Sequence, residues 1–253
     1  MNIQRIKSFI NLRFRSQKLN HNILKYALLK YLNFKVNQGP FKGMKYINNS
    51  NGSVLIPKII GTYECELYDT LQTIFNKNYD ILIDIGCAEG YYAVGLAFLN
   101  RNNNQFKVYA YDKDPKALLN LNQLAQLNKV ENMIFSFHEF NQSEFEKISS
   151  TRGLIICDIE GGEKELLDPI ILPKLLNYDI LVEVHDGKDS DIIKDVLFNR
   201  FANTHMIERI EHNPNYIVRL NCMSWIKNRD FISKVLVEGR KYGLDWFFIQ
   251  KKA

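Results

Sequence analysis

The feature that most constrains this chain is the stretch Ile81-Leu82-Ile83-Asp84-Ile85-Gly86-Cys87-Ala88-Glu89-Gly90-Tyr91-Tyr92. An apolar run ends in an acid, turns through Gly-x-Ala-x-Gly and enters a helical pattern. Apolar residues that do not alternate with polar ones mark a strand buried on both faces, as in a parallel sheet covered by helices. The same grammar recurs downstream. Strands are predicted over 81–85, 107–111, 133–137, 154–158 and 180–184, with helical patterns over 91–99, 115–127, 163–167 and 190–201. Later β candidates fall at 206–210, 216–220 and 246–249, around a helix near 225–238. Strand–helix alternation of this kind predicts an α/β, doubly wound, mostly parallel sheet.

The glycine turn also limits the ligand. Gly86 permits a tight turn, and Ala88 and Gly90 are small enough for a ligand to approach the backbone. A dinucleotide fingerprint would read G-x-G-x-x-G. Here the outer glycines are closer together, and Asp84 stands just before the turn, where a carboxylate would repel pyrophosphate but suit an amino group. Twenty-eight residues later the second strand ends in Asp112, placed to accept the two hydroxyls of a ribose. Two acids flanking such a turn suit a ligand with an amino-acid end and a nucleoside end, such as S-adenosylmethionine (SAM).

From Ile81 to at least Val184 the sequence resembles the class I SAM-dependent methyltransferases, a Rossmann-like family with a seven-stranded sheet. The resemblance implies cofactor contacts from Asp84, Gly86, Cys87, Ala88, Gly90, Tyr91, Asp112 and Lys113, with Ala88 replacing the commoner middle glycine. The adenine contact falls in Phe137-His138-Glu139-Phe140.

In doubly wound sheets, ligands sit at the carboxyl ends of the strands near the switch point. Strand four ends Cys157-Asp158-Ile159-Glu160-Gly161-Gly162-Glu163, and strand five ends Glu183-Val184-His185-Asp186. Methyl transfer from a sulfonium needs an acceptor held in line, and a base when the acceptor is a hydroxyl. His185 titrates in the right range for that base, and Asp158 and Glu160 are placed to orient the acceptor. Glu160 and Glu163 can equally cap the following helix. Together with Ile60-Gly61-Thr62-Tyr63-Glu64, these strand ends resemble the FkbM-type subgroup, whose members mostly O-methylate sugars or other hydroxyls. The resemblance implies a saccharide or polar, anionic substituent of a bacterial surface glycan as acceptor. It also admits a divalent cation such as magnesium on Asp158, Glu183 and Asp186. An RNA methyltransferase and a non-catalytic SAM-binding assembly protein are the rival readings. Strand four lacks the Asn/Asp-Pro-Pro-aromatic signature of base N-methylation, and no G-x-S-x-G elbow supports a hydrolase.

Charge divides the chain. Residues 1–63 carry eleven Lys and Arg and no acid, leaving 22 basic against 28 acidic residues beyond them. Apolar residues three and four apart predict basic amphipathic helices over 3–36, ended by Gln38-Gly39-Pro40, and a further helix is predicted over 64–75. The expected organisation is a basic helical extension or cap over 1–58 and a methyltransferase domain over 59–253. The extension fits a cap over the acceptor cleft or peripheral contact with an anionic membrane. Nucleic acid is disfavoured, because Phe9, Phe14 and Tyr26 read as core-facing rather than interleaved with the basic residues. Four scattered cysteines, no secretory leader and no apolar run of membrane-spanning length point to a cytoplasmic protein with reduced thiols, free to form a homo-oligomer.

Overall fold

A computed structural model describes residues 21–150, 152–185, 190–211, 236, 238 and 244–252. Seven strands form one sheet in the order β3-β2-β1-β4-β5-β7-β6: β1 Ile81–Ile85, β2 Lys107–Tyr111, β3 Ile134–Phe137, β4 Gly153–Cys157, β5 Asp179–Val184, β6 His205–Ile210 and β7 Asp245–Lys251. The first five run parallel, and β7 is antiparallel to both its neighbours. Every residue of β1, β4 and β5 is buried, as their largely apolar runs require, and Asp84, Asp179 and Glu183 are buried with them. The order reverses between β1 and β4, which opens a crevice at their carboxyl ends.

The helices are α1 His21–Tyr31, α2 Leu55–Ile60, α3 Tyr68–Asn76, α4 Tyr91–Leu99, α5 Pro115–Asn128, α6 Gln142–Lys147, α7 Glu163–Leu166 and α8 Ser190–Phe201. Helix α4 is apolar on all sides and almost wholly buried. Helix α5 begins at Pro115, with the Asp114 side chain capping the Lys116 N–H at 2.9 Å.

The N-terminal segment departs from the expected helix over 3–36. Its described part is helical only to Tyr31; Asn33 and Phe34 then take left-handed conformations. Lys35 pairs antiparallel with Lys45, so the chain doubles back and crosses the sheet's helical layer. Phe41 and Met44 are fully buried there. A Cβ on Gly95 of α4 would come within 2.7 Å of the Phe41 ring, so α4 needs a glycine where this strap crosses it. Losing such a ring typically costs about 3–5 kcal/mol. Residues 28–60 thus share one core with β1, β2 and β4. Tyr26 is 49% exposed and does not face the core as the periodicity suggested. Phe9, Phe14, the strand expected over 216–220 and most of the helix expected near 225–238 lie outside the described residues. No helix among the described residues is long and apolar enough to cross a membrane.

Candidate active site

The carboxyl ends of β1, β2, β4 and β5 line a cleft of about 1330 Å³. Three positive-φ residues shape the turn that opens it: Gly86 at 81°, Ala88 at 48° and Gly90 at 92°. Gly86 is dictated by space as well, because a Cβ there would lie 1.8 Å from the Asp158 carbonyl oxygen. Packing also demands Gly90: a Cβ would meet Leu121 of α5 at 2.3 Å. The N–H groups of Gly86 and Cys87 both donate to the Tyr111 carbonyl, at 2.8 and 3.0 Å, and that of Gly90 donates to Cys87. The Ala88 N–H donates to Asp112 Oδ2 at 2.8 Å. These donors are spent inside the fold, so the turn is not a cradle for phosphate oxygens.

Asp112 is held from both sides, since its Oδ1 accepts the Asp114 N–H at 2.8 Å. Each oxygen keeps a further lone pair for a hydroxyl. Lys113 forms an exposed ion pair with Glu139 at 2.8 Å, bridging the ends of β2 and β3 at the cleft mouth. His138 and Phe140 line the cleft beside it, where the adenine contact is expected. Tyr91 and Cys87 are buried in the wall.

Asp84 is 3% exposed, and its Oδ2 has no hydrogen-bond partner among the described residues. Burial, reinforced by the charge of Asp158, pushes its carboxyl up to about 8. A buried carboxyl in the cleft wall with one oxygen unpaired has room for a cationic partner.

The opposite wall is built on His185. Its Nδ1 lies 2.8 Å from Oε1 of Glu163, which is fully buried at the start of α7 and also accepts the Gly161 N–H at 3.1 Å. Glu163 therefore caps the turn and orients the imidazole at once. Nε2 faces Glu183 at 3.2 Å and Asp158 and Glu160 at 3.4 Å each. Burial alone would lower the His185 pKa, but the Glu163 hydrogen bond and the charges of Asp158, Glu163 and Glu160 raise it above its ordinary value. The expected trio His185, Asp158 and Glu160 does meet at one place, with Glu160 80% exposed at the rim. Asp186 lies outside the described residues. Asp158, Glu183 and His185 offer ligand atoms within 4.8 Å of one another, a spacing that fits a divalent cation.

Five participants carry no such assignment in the sequence. For Glu163 the sequence signals a helix cap but not the contact with His185. Glu89 and Lys58 form a buried ion pair at 2.6 Å behind the glycine turn. Glu64 receives the Tyr92 hydroxyl and donates its N–H to Glu238, whose carboxyl is pushed up to about 8 by burial and by Glu64. The only cue in sequence is an acid inside or beside each motif.

A 3-2-1-4-5-7-6 sheet with an antiparallel seventh strand now stands beside an acid on either side of the glycine turn. The fold is that of the class I methyltransferases. No family model matches the chain. It is 33% identical over 90 residues to the ribosomal protein L11 methyltransferase of Acinetobacter baylyi, covering 35% of this chain. The match spans only 28% of that curated relative's length. Among solved structures the chain is similar to a SAM-dependent O-methyltransferase from Thermotoga maritima, at 12% identity and TM-score 0.46 over 73% of this chain and 64% of that one. It is also similar to a precorrin-6Y C5,15-methyltransferase from Geobacter metallireducens, at 10% identity and TM-score 0.44 over 74% and 89%. A tRNA methyltransferase of M. jannaschii gives 15% identity and TM-score 0.41 over 74% and 50%. Strand order and turn geometry carry the fold assignment.

Proposed function

We propose that the protein is a SAM-dependent methyltransferase that methylates oxygen, with a saccharide or other polyhydroxylated metabolite of surface-glycan type as acceptor. The observation that carries the cofactor reading is Asp84, buried with an unpartnered oxygen at the end of β1. An ammonium group would supply the missing partner and restore the ionised carboxylate. Asp112 takes the ribose hydroxyls, and His138 and Phe140 flank the adenine.

The acceptor oxygen attacks the methyl carbon, the C–S bond breaks, and neutral S-adenosylhomocysteine (SAH) leaves. The hydroxyl proton goes to His185 Nε2, which Glu163 fixes as acceptor by holding the proton on Nδ1. Asp158 and Glu160 hold the acceptor and balance the imidazolium. Were a divalent cation bound, Asp158, Glu183 and His185 would be its ligands, and it would polarise the acceptor oxygen. The acid-lined cleft favours a neutral acceptor and weighs against RNA, the rival substrate. Cytoplasmic location and membrane contact through the basic segment belong to the same proposal.

Labelled-methyl transfer to neutral sugar and glycan fractions, run beside total RNA, tests the acceptor class. Alkali-stable label in the sugar fraction is the expected result. Label confined to RNA at low salt would overturn it.

A further inference from the structure

Within the turn Gly86–Gly90, Glu89 alone carries a charged side chain, and it is wholly buried. It does not face the cleft. Its Oε1 accepts the Tyr46 hydroxyl at 2.6 Å, Lys58 Nζ at 2.6 Å and Ser50 Oγ at 3.0 Å, and its Oε2 accepts the Asn51 N–H at 2.8 Å. Burial opposes ionisation, yet Lys58 and these donors hold its pKa below the ordinary carboxylate value. All four partners lie in residues 46–58, which continue the N-terminal strap from Lys45 into α2.

The strap is stitched down at a second place. The Asn120 amide of α5 donates to Asn51 Oδ1 at 2.7 Å, Asn51 Nδ2 donates to Asp114 at 3.4 Å, and Lys45 and Asn128 exchange two hydrogen bonds. Between the anchors, Asn51, Gly52 and Ser53 form part of the cleft wall beside Asp112 and Asp114.

We infer that Glu89 is a positioning residue that clamps the strap tip, residues 50–53, into the wall of the nucleoside end of the cleft. On this view the glycine turn holds the cofactor from one side and fastens the strap from the other, so cofactor affinity depends on residues far upstream of the first strand. The inference rests on the proposed cofactor reading.

The test compares Glu89→Gln with a stability control in the full chain. Leu175→Ala, a fully buried site on the other face of the sheet, serves as that control. Replacing the carboxylate weakens charge-assisted bonds, so SAH affinity should fall about tenfold or more. Amide hydrogen exchange over residues 45–53 should rise with it. The control should lose comparable thermal stability while keeping SAH affinity and strap exchange near wild type. Glu89→Gln that loses stability yet binds SAH within about twofold of wild type overturns the inference. If Glu89→Gln does not fold, Tyr46→Phe removes one donor outside the cleft; it should speed strap exchange, and unchanged exchange overturns the clamp. Wild-type protein that binds no SAH would overturn the cofactor reading instead, and strap exchange would still decide whether Glu89 is a clamp.

Discussion

Replacing Asp84 with Asn should make the ligand-free protein more stable and the cofactor complex far weaker. Asp84 ionises near 3.8 when unfolded but near 8 in the fold, because burial and Asp158 disfavour its charge. The sign follows directly. A raised carboxyl pKa means that the folded state keeps a proton the unfolded state releases, so stability falls as pH rises from about 4 to about 8. Each pH unit in that window removes at most ~1.4 kcal/mol, a ceiling of roughly 6 kcal/mol that local relaxation reduces to a few. Asp84→Asn carries no such charge. At pH 8 it should be more stable than wild type by about 2–4 kcal/mol, or roughly 5–10 °C in Tm for a chain of this length. Below about pH 4, where Asp84 is protonated in both states, the pH-dependent difference should vanish. Losing the ammonium partner should weaken SAH binding by about 30-fold or more. Thermal unfolding at several pH values, with calorimetric titration of SAH, reads both effects. Parallel pH slopes, or undiminished SAH binding by the variant, would refute the assignment of Asp84.

Four further outcomes follow from the same geometry. Gly86→Ala should destabilise by about 3 kcal/mol or more, read as a loss of Tm, because the new methyl meets the Asp158 carbonyl in a left-handed turn. His185→Ala should abolish turnover while binding SAH within about twofold of wild type. In wild type, activity should rise with pH through a value above that of ordinary histidine, and Glu163→Gln should move this rise to lower pH by removing the anion on Nδ1. Turnover after EDTA treatment should stay within about twofold of the untreated enzyme; loss with recovery on adding Mn²⁺ or Mg²⁺ would make His185 Nε2 a cation ligand rather than the base.

The strands were legible because burial on both faces writes itself as an unbroken apolar run. Strands β1 and β2 and helices α4 and α8 match the sequence reading residue for residue, and β3, β4, β5 and β7 differ only at their ends. Helix α2 was hidden by Pro57, which reads as a breaker, and α6 by its brevity. The expected helix over 64–75 begins instead with a 3-10 turn at Cys65–Leu67, after a left-handed Glu64. At the site, residues that follow a strand end were legible, since the sheet fixes where they point. Glu89 was not, because its partners lie 31 to 43 residues away and no local pattern announces them. The role of Glu163 was half visible: its place at a helix start signals a cap, but His185 lies 22 residues further on. That Gly90 also makes room for Leu121, 31 residues on, has no local sign in the sequence.

The most direct test of the account is calorimetric titration of the full chain with SAM and SAH near pH 7, repeated in buffers of different ionisation enthalpy. The account predicts micromolar binding of both, with a proton released as Asp84 ionises against the incoming ammonium. A folded protein that binds neither would contradict it and leave the glycine turn as scaffold.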